Sequence, residues 1–381
     1  MFVYVGSLTA DRAQQGIFVY TLDPATGAMD FVQRVEIASP GFLAFSADRT
    51  RLYAASRGHT VNGGEHDLAV AYALDQQSGR LELLDTAPIP ADPAYVALDK
   101  TGSLAAFACT FGGATAAIRI GSDGKFAGPA QVIPHEGRSL SSQGITPWNM
   151  RDPLPSGTPF PHSARFSPDN RFLLVPDVGL NRVMVYRVDA ANGRLEPNDP
   201  PHADGAPMPA SWKPINVIHW DRPRGAGPRH LDFHPNGRWV YVVNELGSTV
   251  SSFDYDAARG ALTMKQDITT LPEDAPPNIT ADIHVHPSGK FLYATNRGHE
   301  SLARFMIDPA RGTLTPAGWT SVRGQHPRSF TFFSDARLLL VGNLTSSEVA
   351  LFAVDPENGE LTPIGEPSPA PVPSCVIVLD D

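Results

Sequence analysis

The chain has 381 residues, 42% hydrophobic and 18% charged, a composition that builds a packed core and excludes wholesale disorder. A formal net charge of −10 with no basic block sets up a field that repels polyanions, so neither nucleic acid nor an anionic membrane is expected as a partner. No apolar run approaches the ~18 residues of a membrane span. The first residues, MFVYVGSL, lack the layout of a signal peptide, and Cys109 and Cys375 both sit in apolar runs, so a cytoplasmic protein without a disulfide framework is expected.

Taken in chain order, the elements repeat. MFVYVGS reads as a strand, followed by a second, GIFVYTLD. A three-part unit then recurs six times. Its first strand ends in a turn: PGFLAFSADRT, PAYVALDKTG, PHSARFSPDN, PRHLDFHPNG, ITADIHVHPSG and PRSFTFFSDA. The second strands are RLYAAS, SLAAFAC, RFLLVPD, RWVYVVN, KFLYATN and RLLLVGN. The third strands (LAVAYALD, TAAIRIGSDG, RVMVYRVD, TVSSFDYD, SLARFMID and EVALFAVD) mostly lead into Gly-containing turns such as AANGRL or PENGEL. The last residues, PSCVIVLDD, supply a first strand whose second is the N-terminal MFVYVGS.

Six units plus one split unit make seven, and a fourth strand after each turn makes each unit a propeller blade. Pairing the last strand with the first closes the ring and removes exposed sheet edges. The fold predicted is therefore all-β, a seven-bladed β-propeller forming one domain over residues 1–381. No amphipathic helical segment of ten or more residues competes with this reading. From Asp123 to Asp189 and from Asp189 to Asp256 the blades span 66 and 67 residues, against 47 to 52 elsewhere. The excess falls in segments 134–161 and 197–226, which carry Trp148, Trp212 and Trp220 and precede first strands. They are expected to roof one face.

The repeat register predicts a site. Residues equivalent to Arg229, at the start of the innermost strand, are Gly41, Ala94, His162, Arg229, Ala281, Arg328 and Ser374, and such positions form a circle about the central axis. The second strand returns antiparallel to the same face, bringing Arg57, Glu245 and Arg297, and one residue earlier Asp177 and Asn244. His230 and Asp282 are equivalent to each other beside the circle. Repeat positions without a special duty tend to be filled alike, whereas these hold small residues in some blades and cations in others. Guanidinium forks beside one carboxylate suit an anionic or carbonyl-bearing ligand.

Other histidines read differently. His234 and His286 belong to HPNG and HPSG turns on the opposite face, where turn capping is expected. No HExxH, CxxC or EF-hand spacing occurs, so no metal site and no cofactor is expected. No GxSxG elbow, Walker A or GxGxxG string is present, which argues against a serine hydrolase or a nucleotide enzyme.

The strings PHSARFSPDNRFLLVPD, GAGPRHLDFHPNGRWVYVVNEL, ADIHVHPSGKFLYATNR and QHPRSFTFF resemble the lactonase family of seven-bladed propellers, which includes propeller-type 6-phosphogluconolactonases and the fungal carboxy-cis,cis-muconate cyclases. The resemblance spans essentially the whole chain. It implies that His162, Arg229, Glu245 and Arg297 occupy catalytic or substrate-binding positions, taken here as catalytic, with His230 and Arg328 in motif positions nearby as substrate-binding candidates. Arg57, Asp177, Asp282 and Asn244 join as substrate-binding candidates from the register. The expected activity is metal-free hydrolysis of a 6-phosphogluconolactone-like sugar-acid lactone, with either Glu245 or His162 activating water. A lactonising cycloisomerase is the alternative within the resemblance, and a non-catalytic interaction scaffold the alternative outside it. The expected partner is a small anionic or lactone substrate, and the expected assembly a monomer or weak homo-oligomer. Arg229→Ala is expected to cost activity and spare stability.

Overall fold

A computed structural model describes residues 1–9, 11–61, 64–136, 158–198 and 226–380, without the side chains of 59–66. Segments 134–161 and 197–226 lie mostly outside these residues, and with them the expected roof and its tryptophans. The described chain forms 28 strands, β1 to β28 in chain order, in seven antiparallel four-stranded sheets. No helix occurs among the described residues.

The innermost strands are β4 (Pro40–Phe45), β8 (Pro93–Leu98), β12 (Arg165–Phe166), β16 (Pro228–Phe233), β20 (Ile279–Val285), β24 (Pro327–Phe332) and β28 (Pro373–Leu379). Neighbouring inner strands pack on one another around the axis, except that beside the two-residue β12 it is β13 (Phe172–Asp177) that meets β16. The closing blade runs β28, β1 (Phe2–Ser7), β2 (Gly16–Leu22), β3 (Met29–Val35), and β1 pairs with β28 as Val3 with Val378 and Val5 with Val376. The ring is thus locked by hydrogen bonds between the two ends of the chain.

Apolar side chains fill the seams between blades. The seam of β16 and β20 buries Trp239, Tyr241, Val243, Ile283, Leu292 and Phe305, each worth ~1.5–3 kcal/mol of transfer free energy when taken from water. Polar staples cross the same seams. The hydroxyls of Tyr4, Tyr53, Tyr241 and Tyr293 donate to carbonyls of Gly79, Gly124, Gly312 and Gly359 in the following blade. His234 and His286 cap their turns as expected, accepting from the amides of Asn236 and Ser288, and their other ring nitrogens reach the next blade at Gly289 O and Ala336 O. Cys109 and Cys375 are free, buried thiols, and burial pushes both thiol pKa values up.

A feature without a sequence counterpart positions the site. Six innermost strands break register at the second residue of the motif, between Pro40 and Phe42, Pro93 and Tyr95, Pro228 and His230, Thr280 and Ile283, Pro327 and Ser329, and Pro373 and Cys375. Each break is a β-bulge, which leaves one residue unpaired and re-aims its side chain. The unpaired residues are Gly41, Ala94, Arg229, Arg328 and Ser374, with Ala281 in the shift of β20. In the remaining blade an isolated bridge at Pro161 places His162 likewise. Proline before the bulge is tolerated because this edge of the sheet faces the axis and needs no amide donor there.

Candidate active site

Six of the seven circle residues, Gly41, Ala94, His162, Arg229, Arg328 and Ser374, line one recess of ≈ 20 Å³ with Leu8, Phe42, Arg57, Tyr95 and His230. The seventh, Ala281, contributes its carbonyl, to which Arg229 Nη1 donates at 2.6 Å. The small residues leave the central space, and the long ones fill it with charge.

Arg229 is 1% exposed. Its Nε lies 3.3 Å from Glu245 Oε2, and Arg297 Nη2 donates to Glu245 Oε1 at 2.7 Å. Glu245 therefore clamps two guanidinium groups from adjacent blades. Arg297 Nη2 also reaches Thr280 O, while its Nε and Nη1 have no hydrogen-bond partner among the described residues. Burial acts to raise the Glu245 carboxyl, but Arg297 and Arg229 outweigh it and hold the pKa below the usual value. Burial and Arg297 bring Arg229 down to about 10, and burial with Arg229 and Arg297 pulls Arg328 well below the ordinary arginine value.

The hydrogen-bond partners of His230 fix its tautomer. Arg229 Nη1 lies 3.1 Å from His230 Nε2, and a guanidinium can only donate, so Nε2 carries a lone pair. Nδ1 faces Asp282 Oδ1 at 2.8 Å and donates to it. Burial and Arg229 hold the His230 pKa at about 4, which keeps the ring neutral at pH 7. His162 Nδ1 lies 3.3 Å from the same His230 Nε2 and is the donor of that pair, which leaves His162 Nε2 unprotonated. Burial, Arg229 and His230 hold the His162 pKa well below its ordinary value. The site therefore presents a neutral imidazole lone pair among arginines.

Five candidates do not line the recess: Glu245 and Arg297, which are paired beside Arg229, and Asp177, Asn244 and Asp282, which stand elsewhere. Asp177 is fully buried inside its blade, bonded to His135 Nδ1 at 2.7 Å and accepting from the amides of Phe160 and Leu180. Asn244 donates to the hydroxyls of Thr249 and Ser251. Both are the last residues of their strands, β13 (Phe172–Asp177) and β17 (Trp239–Asn244), one position before that of Glu245, and alternation turns their side chains the opposite way, back into the sheet. Asp282 lies behind His230 and does not line the recess. Arg57 does line it, 3.7 Å from Asp92 and over the ring of Phe111. Residues missed in the sequence are Tyr95 and Phe42, stacked at 3.8 Å between ring centroids against one side of His230. His326 was also missed: burial and the three arginines Arg297, Arg328 and Arg229 lower its pKa to about 3. Its sequence signal was its place in the QHPRSFTFF string, two residues before Arg328.

Residues 2–378 match the family model described as "Lactonase, 7-bladed beta-propeller". The chain belongs to this lactonase family. Among its relatives, a 6-phosphogluconolactonase of Bacillus subtilis (strain 168) is 27% identical over 343 residues, covering 89% of this chain and 87% of that protein. A 6-phosphogluconolactonase of Serratia proteamaculans (strain 568) is 31% identical, covering 89% and 86%. The solved structure of a Pseudomonas aeruginosa periplasmic gluconolactonase superposes with a TM-score of 0.80 at 28% identity, covering 99% of this chain and 98% of that one. Membership of the lactonase propellers makes the chain an enzyme of the lactonase type.

Proposed function

We propose that this enzyme hydrolyses a sugar-acid lactone of the 6-phosphogluconolactone kind, with His162 as general base. The observation that carries this reading is the neutral His162 and His230 pair set in the Arg229, Arg297 and Arg328 cluster. Support comes also from the curated relatives named 6-phosphogluconolactonase.

In this mechanism His162 Nε2 takes a proton from water as the water oxygen bonds to the lactone carbonyl carbon. The negative charge arriving on the carbonyl oxygen falls to the arginines at the recess, whose positions are fixed before reaction. Collapse of the tetrahedral intermediate breaks the ring C–O bond, and the leaving alkoxide takes the proton back from His162. The acid formed then ionises, so one proton is released per turnover at neutral pH. Glu245 is unsuited to be the base, because both its oxygens are held by guanidinium groups and its pKa is lowered. Its role is to orient Arg229 and Arg297.

A recess of ≈ 20 Å³ admits one oxygen-sized group. The substrate body lies above it, with only the reacting atoms at the floor. An anionic substituent offsets the cation excess, since three arginines face the single Glu245 carboxylate, and its arrival raises the basicity of His162. The test is a continuous assay of pure protein on freshly generated 6-phosphogluconolactone, gluconolactone and 3-carboxymuconate. Saturable hydrolysis of the phosphorylated lactone well above the spontaneous rate is expected. Turnover of the muconate alone would replace hydrolysis with lactonisation.

A further inference from the structure

Two adjacent inner strands carry inverted motifs. β16 reads His230-Leu231-Asp232, and β20 reads Asp282-Ile283-His284 at equivalent positions. Alternation sends the first and third residue of each toward the axis, which makes a two-by-two checkerboard. His230 Nδ1 bonds Asp282 Oδ1 at 2.8 Å, and His284 Nε2 lies 3.4 Å from Asp282 Oδ2. His284 Nδ1 lies 3.8 Å from Asp232 Oδ2, and Arg165 Nη2 donates to Asp232 Oδ1 at 2.6 Å. The array runs from the recess on one face into a ≈ 610 Å³ central channel that reaches Lys100, Pro168 and Pro235 toward the other face. His284 is its partly open end, with 24% of its side chain exposed.

We infer that Asp282 and His284 are positioning residues for the reaction: Asp282 holds His230 as its Nδ1–H tautomer, and His284 balances the Asp282 charge so that the His230 Nε2 lone pair stays available to Arg229 and His162. This rests on the assignment of His162 as base. Its physical content is a competition at His230. Arg229, His162 and Arg328 disfavour an imidazolium there, and the Tyr95 and Phe42 rings desolvate it, while the Asp282 carboxylate favours one. An unbalanced Asp282 would tip this toward a protonated Nε2, which cannot accept from either neighbour. His284 prevents that from the far side.

The groups around His284 fit this duty. Facing it are Asp282 on its own strand and Asp232 on β16 with Arg165 of β12 behind. Phe330 of β24 packs edge-on at 4.7 Å, and β4 and β28 offer apolar side chains. Burial disfavours its cation, but Asp282 and Asp232 outweigh burial and lift its pKa to about 9. Both aspartates also accept backbone amides of the next blade, Asp282 from Phe330 and Asp232 from Val285. A staple between blades would explain the carboxylates but requires no cation at 284.

Nitrogen-15 NMR of the histidine-labelled full chain, without ligand, reads the tautomer directly. The expected result is a neutral Nδ1–H His230 at pH 7 and a cationic His284. His284→Gln should raise the His230 pKa by about one unit or more and move the acid limb of kcat upward. Activity would then fall about twofold at pH 5 relative to the parent, with recovery by pH 7 and KM little changed. His284→Lys, which restores a cation, should return both toward the parent. Asp282→Asn should release the tautomer and lower kcat by about 10²-fold or more. An Nε2–H tautomer in the parent overturns the inference, as does an unmoved His230 titration in His284→Gln. If His284→Gln does not fold, the parent spectrum and His284→Lys decide. The spectra need no substrate, so they decide this point even if the lactone assignment fails.

Discussion

Arg229 is the residue on which the two halves of the site depend, and its replacement separates charge from geometry. In the parent its Nη1 donates to Ala281 O at 2.6 Å and to the His230 Nε2 lone pair at 3.1 Å, and its Nε makes an ion-pair contact with Glu245 Oε2 at 3.3 Å. Arg229→Ala removes all three and the nearest cation to the His162 and His230 pair. A lost oxyanion donor typically costs ~2–4 kcal/mol of transition-state stabilisation, so kcat/KM should fall roughly 30- to 1000-fold. Arg229→Lys keeps the charge, but one ammonium on a flexible stem cannot make three contacts fixed by a planar fork, and at least tenfold of the loss should persist.

The expectation that stability would be spared is corrected by burial. At 1% exposure, the side chain fills core volume and satisfies the Ala281 carbonyl. Stranding one buried polar partner costs about 1–3 kcal/mol. The larger penalty of an unpaired buried charge is avoided because Arg297 still holds Glu245. Arg229→Ala should therefore melt measurably lower than the parent yet stay folded at 25 °C, and Arg229→Lys should lie between. Steady-state kinetics on fresh lactone and a thermal melt read both effects. A folded Arg229→Ala enzyme with kcat/KM within about twofold of the parent would refute the assignment.

Further outcomes follow from the charges. Because the substrate anion offsets the arginines, the acid limb of kcat should lie at higher pH than that of kcat/KM, as read from full pH–rate profiles. Stability should peak near the ordinary histidine value of ~6.5. His230, depressed in the folded state to about 4, withdraws stability as pH falls from there toward 4. His284, raised to about 9, withdraws it as pH rises from there toward 9, and a melting series in His284→Gln should lose that alkaline limb. Glu245→Gln leaves Arg229 and Arg297 unclamped, so it should lower kcat/KM by about tenfold or more while keeping a measurable His162-dependent rate. Three guanidinium groups repel a divalent ion from the recess, so EDTA should leave the rate unchanged, and loss restored by one added metal would count against the proposed site.

The ring architecture was legible because blades repeat: seven alternating units with Gly turns leave little choice of fold, and the unpaired final strand dictates closure. The circle was legible for the same reason, since turn-to-turn alignment holds the register. The bulges were not, because a bulge depends on backbone pairing across two strands that share no sequence mark beyond the preceding proline. Asp177 and Asn244 were misplaced although a signal existed. Asn244, Asn296 and Asn343 are identical at equivalent positions and fully buried, which is the mark of a repeated structural duty. The HxD and DxH motifs of β16 and β20 were equally visible as strings, but their meaning needs the pairing of neighbouring blades.

The most direct test follows protons. Lactone hydrolysis at neutral pH releases one proton per turnover, so a pH-stat on freshly generated 6-phosphogluconolactone measures the reaction itself. The parent enzyme should accelerate release saturably, and a folded His162→Ala variant should lose ~10²–10⁴-fold, the typical contribution of a general base. A parent rate equal to buffer, or a His162→Ala rate equal to the parent, would contradict the account.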